Sequence, residues 1–127
     1  MNPLLFPYLL NILVLIPVAT LTLFGGASGC QRVFQGKFPD SEGIRTILGS
    51  LWTAILIGSV LGLFFPVSMS PLLIIQVIYK SLWLANFALP RLLAGIGIEI
   101  PSGVAVSFAV IVATYPWVIP WGHLFGS

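Results

Sequence analysis

The sequence predicts an all-α, polytopic integral membrane protein, a single domain over residues 1–127 in which four transmembrane helices form a bundle. Three observations predict it. The chain is 58% hydrophobic and only 6% charged, against about a quarter charged in a soluble domain, so it has too few charges to cover a water-facing surface. Four segments are apolar over, or close to, the ~20 residues that cross a bilayer. Lys and Arg gather in two of the connections between those segments, as membrane topology favours.

The first span covers about 4–24 and ends at Gly25-Gly26. Ala27-Ser28-Gly29-Cys30 looks like a lipoprotein cleavage box, but no basic n-region precedes the apolar run, so a retained helix is expected rather than a signal peptide. Pro17 lies inside it and predicts a static kink. The connection Gly25 to Gly43 carries Arg32, Lys37, Asp40 and Glu42, with Val33, Phe34 and Phe38 interleaved. That mixture suits the headgroup layer. Asp40, Ser41 and Glu42 then supply cap oxygens and negative charge for the next helix.

The second span covers about 44–65 and stops before Pro66. The turn Pro66 to Ser70 is short and uncharged, so the second and third spans form an antiparallel hairpin. The third span covers about 71–89, with Ser70 as N-cap and Pro71 at the first helical position. A loop from Pro90 to Pro101 follows, holding Arg91 and Glu99. The fourth span covers about 103–118, the shortest of the set, with Pro116 and Pro120 near its end.

Arg32, Lys37, Arg45 and Arg91 all fall in or beside the first and third connections. The positive-inside rule therefore places those connections in the cytoplasm and both termini outside. Tyr115, Trp117 and Trp121 then read as aromatic anchors at the outer interface.

The fifth basic residue, Lys80, sits in the middle of the third span. A charge there costs roughly 2.5–3.5 kcal/mol on insertion scales and calls for a partner or a water-filled cavity. The span is roughly 28 Å long, so the side chain cannot easily reach either interface. Gln76, Tyr79, Lys80, Trp83, Asn86 and Phe87 follow helical spacing and share one face, which should meet protein or water rather than lipid. The three carboxylates, Asp40, Glu42 and Glu99, all lie in predicted loops. The amine must then be solvated by Tyr79, Asn11 or carbonyls, be met by an infolded Glu99, be neutral, or be paired by another subunit, a lipid headgroup or a ligand. Locking helix packing is its bland role.

Weaker polar stripes run along the other helices: Tyr8, Asn11 and Thr22; Thr46, Ser50 and Thr53; Ser107 and Thr114. They read as hydrogen bonds between helices. Gly58 and Gly62 form a GxxxG pair, and Ala105, Ala109 and Ala113 repeat every four residues, both patterns that permit close helix approach.

Several chemistries are excluded. Cys30 is the only cysteine and His123 the only histidine, so no disulfide and no four-ligand zinc site forms within the chain. The predicted topology puts those two residues on opposite sides, so a Cys–His nucleophile pair is not expected. His123 reads as a polar anchor rather than an axial ligand to haem or chlorophyll, and no cofactor is expected. No basic stripe exists for nucleic acid. No nucleophile elbow, phosphate loop, dinucleotide fingerprint or zinc-protease motif is present, so the chain is not expected to be an enzyme.

The stretch Leu48 to Leu89, with its glycine-bearing second helix, Phe64-Phe65-Pro66 turn and Ile78-Tyr79-Lys80-Ser81-Leu82-Trp83 core, resembles small four-span bacterial inner-membrane proteins loosely of the DoxX-like type. The resemblance is one of size and layout. It implies a four-helix bundle in a bacterial inner membrane and adds no site residue. The expected function is that of a small non-enzymatic subunit or accessory protein of a larger membrane complex, with lipids and membrane proteins, or further copies of itself, as partners. The alternative is a small oligomeric carrier or channel that uses the Lys80 face for an anion, a proton or an amphipathic ligand.

Overall fold

A computed structural model describes residues 2–126, which are largely helical and contain no strand. Helix α1 (Leu5–Phe24) is followed by a short helix α2 (Gly26–Phe34) and a long helix α3 (Glu42–Phe64). Helix α4 (Pro71–Trp83) runs on through one π turn (Leu84–Ala88) into α5 (Leu89–Leu93). After a 3-10 turn at Gly97–Glu99 comes α6 (Ser102–Thr114), extended by a 3-10 turn at Tyr115–Trp117, and a last short helix α7 (Trp121–Phe125).

Three rods are long and apolar enough to cross a membrane: Leu5–Phe24, Glu42–Phe64 and Pro71–Leu93. The fourth predicted span is apolar but shorter, Ser102–Trp117. Prolines bound it on both sides. Pro101 holds extended backbone at its start (φ −68°, ψ 108°), and Pro116 and Pro120 withhold amides at its end.

The third rod is longer than predicted. A proline normally stops a helix at the preceding residue, because its ring meets the carbonyl four residues back and it donates no hydrogen bond. Here the helix passes through Pro90 to Leu93. The π turn just before Pro90 loosens the carbonyl ladder where the ring has to fit.

The first connection is not simply a headgroup-layer loop. Gly26, at φ +66°, reverses the chain, and α2 folds back against the end of α1. Phe34 is buried and stacks obliquely on Trp52 of α3, 5.9 Å between ring centroids. Gln35 closes α2 in the left-handed region, and its Oε1 accepts from Ser102 Oγ and Gly103 N, both at 3.2 Å. The side chain ending one helix thus caps the first turn of α6, which has no cap of its own.

Ser41 caps α3 as predicted, accepting from Ile44 N at 3.4 Å. Ser70 does not cap α4. It sits in helical backbone and donates to Val67 O at 2.6 Å, holding the turn instead. α1 remains one helix through Pro17, which faces outward.

α1 and α3 make the most extensive pairing. They run antiparallel: Tyr8 donates to Pro66 O at 2.6 Å at one end, and Gly49 meets Leu23 near the other. α4 pairs with α6, Leu73 sharing a cluster with Ile111 and Tyr115 while Trp83 meets Phe108. Two cores result. One, toward the end that carries Arg45 and Arg91, centres on Trp52, Phe34 and Phe108. The other, toward the Pro66 turn, centres on Tyr8, Leu73 and Tyr115.

Candidate functional site

Along α1, α3 and α4, the polar residues Asn11, Ser59 and Gln76 fall between these two cores, and all three are buried. Asn11 Nδ2 donates to Gln76 Oε1 at 2.7 Å and to Ser59 Oγ at 3.0 Å, and Gln76 Nε2 donates back to Asn11 Oδ1 at 3.2 Å. The Tyr115 hydroxyl shares its one proton between two acceptors, Pro7 O at 3.0 Å and Asn11 Oδ1. One asparagine thus ties four helices at one level. Such a network rigidifies an apolar interior because each member is satisfied.

Lys80 lies one helical turn beyond Gln76 and is 4% exposed. Its Nζ sits 4.8 Å from the Phe108 ring centroid and 5.4 Å from that of Tyr79. These ring faces stabilise a cation without neutralising it. The carboxylates lie elsewhere. Asp40 pairs with Arg45 at 2.5 Å, and Glu99 pairs with Arg91 at 3.3 Å. Glu99 therefore does not fold inward to Lys80; Arg91, stacked 3.7 Å over Phe87, holds it at the surface.

Two cavities open near Lys80. The larger, about 520 Å³, is an aromatic cleft between α2, α3 and α4, walled by Phe34, Phe38, Trp52, Trp83, Phe87 and Phe108, with Cys30 and Arg45 at its rim. Tyr79 also lines it. Its hydroxyl is buried without a hydrogen-bond partner. The smaller, about 280 Å³, is a groove between α1 and α6, lined by Lys80 and Arg32 together with Ser107 and apolar side chains. Trp52, Val104 and Phe108 line both spaces.

Of the residues predicted to share one face, Gln76 and Lys80 are buried, and Tyr79 and Trp83 are half-buried against Phe108. Asn86 is not among them. It is exposed, and its amide donates back to Leu82 O at 2.8 Å. It lies within the π turn, which breaks the constant helical phase assumed in the prediction.

The aromatic anchors divide as well. Trp117 and Trp121 are exposed. Tyr115 is completely buried and belongs to the polar network, so it cannot serve as an interfacial anchor. Gly58 and Gly62 do not share one partner: Gly58 faces the Leu72 side chain and Gly62 the Tyr8 ring. Thr46 and Thr53 bond their own helix, to Glu42 O and Gly49 O.

Sequence reasoning missed Ser59, Trp52, Phe34 and Phe108 as members of these sites. The buried face of α3 runs Gly49, Trp52, Ile55, Ser59 and Gly62, and its three- and four-residue spacing was a usable signal.

Among the described residues no three His, Cys, Asp or Glu side chains gather as a metal site. His123 is exposed on α7. Cys30 is half-buried, and burial raises its thiol pKa above the ordinary range. Arg45 opposes that shift and Asp40 adds to it. The raised pKa keeps the thiol protonated at neutral pH. Iodoacetamide should therefore label Cys30 more slowly at pH 7 than a free thiol, with labelling rising only at more alkaline pH. A labelling midpoint at or below that of the unfolded chain contradicts the assignment.

Comparison with family models, curated proteins and solved structures yields no match.

Proposed function

We propose that this chain is a small, non-enzymatic integral membrane subunit or accessory protein of a larger membrane assembly. The observation that carries this reading is how its polar groups are used. Asn11, Ser59, Gln76 and Tyr115 satisfy one another, and two of the three carboxylates are held by arginines at one end. Among the described residues the remaining polar side chains do not gather into one cluster with them. What the chain presents outward is apolar helix surface, including Leu13, Ile16, Ile47, Ile57 and Val106.

In this reading Ser102–Trp117 acts as a fourth, short span. The Arg45 and Arg91 end lies in the cytoplasm and both termini lie outside, in a bacterial inner membrane. The exposed Trp117 and Trp121 at the Pro66 end suit an outer interface.

Native mass spectrometry of the protein, extracted gently from its own membranes, tests the proposal. A mass that includes other polypeptides is the expected result. A bare monomer or homo-oligomer would sink it and favour the second reading, a small carrier. That reading is favoured by one observation: Lys80, though buried, borders a groove that it shares with Arg32.

A further inference from the structure

We infer that the groove between α1 and α6 binds a single-chain amphipathic anion, with its acid group at Arg32 and Lys80. Both cations line the same space. Among the described residues no carboxylate lines it, and the two arginine–carboxylate pairs found there involve Arg45 and Arg91 instead. Arg32 is exposed at the level of α2, whereas Lys80 is buried deeper in the bundle. A cation at the mouth and a second one further in draw an anion inward, and within a low-dielectric interior such pairing is far stronger than in water.

The remaining lining decides between anions. Val14, Leu15, Val18 and Leu21 of α1 face Ile111 of α6 across the groove. A free inorganic anion would exchange its hydration for these apolar walls, an unfavourable transfer. An acyl or alkyl chain meets them favourably. Ser107, which also lines the groove, already donates to Gly103 O at 2.8 Å, leaving its oxygen lone pairs and no proton for the ligand. The two cations must therefore carry recognition of the acid group. About 280 Å³ accommodates a headgroup and part of a chain, the rest lying between α1 and α6 toward lipid.

The inference deepens the carrier reading of Lys80 and rests on it for biological purpose only; binding itself is measured without flux. The test uses the full chain in nanodiscs of neutral phosphatidylcholine, with three probes: hexadecyl phosphate, hexadecanol and inorganic phosphate. Thermal unfolding and native mass spectrometry provide the readouts. Hexadecyl phosphate should raise the melting temperature by several degrees and appear as a one-to-one adduct, while the alcohol and the free phosphate should do neither. Lys80→Met should remove the shift, and Arg32→Gln should weaken binding about tenfold. Arg32 is at the surface, so that variant keeps the test open if Lys80→Met misfolds.

An equal shift with hexadecanol, or an unchanged adduct in Arg32→Gln, overturns the inference. So does inorganic phosphate binding as tightly as the amphiphile, since the apolar walls would then have no role. If binding holds while vesicle flux of the anion is absent, the carrier reading fails and the site stands.

Discussion

Replacing Asn11 with Leu should be among the most damaging single substitutions in this protein, lowering stability by about 2–4 kcal/mol. Hydrogen bonds between membrane helices average only about 0.6 kcal/mol, so the size of this effect comes from what is left behind. Tyr115 keeps its bond to Pro7 O, and Ser59 keeps its bond to Ile55 O at 2.7 Å. Gln76 keeps nothing: its amide oxygen and nitrogen are both satisfied by Asn11. Leaving a buried donor and acceptor unpaired costs more than the bond was worth. Removing both partners together should cost less. The double variant Asn11→Leu, Gln76→Leu is therefore expected to be more stable than Asn11→Leu alone, by about 1 kcal/mol or more. Thermal unfolding of the four proteins in one detergent checks this. Strict additivity would mean that the Asn11–Gln76 pair is not coupled.

Gly49→Ala should cost about 1–3 kcal/mol, the usual penalty for overpacking. A Cβ at residue 49 would lie 2.8 Å from the backbone N and Cα of Leu23. Main chain cannot swing aside, so α1 and α3 would have to separate. Gly58→Ala is the control. Its Cβ would lie 2.9 Å from Leu72 Cδ2, the end of a flexible side chain, and Ala gains about 0.8–1.0 kcal/mol in helix propensity over Gly. Its net effect should be small. Equal losses at the two positions would show that close backbone approach at Gly49 is not what holds the pair together.

These two cases show which features the residues revealed on their own. Helix class and the limits of the first two rods were legible because apolar runs bounded by glycine, serine and proline leave few alternatives. Lys80 and Gln76 were legible as inward residues, since a charge and an amide four apart on an apolar rod have to face the bundle. The coupling of Asn11 to Gln76 was not, because they are 65 positions apart and only the antiparallel stacking of α1, α3 and α4 aligns them. α2 was hidden by its composition: small and polar residues fold as a helix there because Phe34 finds Trp52. Asn86 was misplaced for a local reason, the π turn, which no regular periodicity contains. Gly58 and Gly62 matched a packing motif, yet Gly49, where the main chain of α3 meets that of α1, is no part of that GxxxG pair.

The π turn has one more consequence. By fitting about one additional residue into a single turn, it offsets everything after it by about 100° relative to a uniform helix. The Pro71–Leu93 rod is therefore two helices sharing an axis but not a phase. Its first half is clocked to the buried layer of Gln76 and Lys80. Its second half is clocked so that Arg91 lies over Phe87 and reaches Glu99. Chain length within Leu84–Ala88, rather than residue identity, sets the angle between those halves. Loss of one residue there would turn the charged end aside while the buried layer kept its register, so the two ends of this rod can diverge independently.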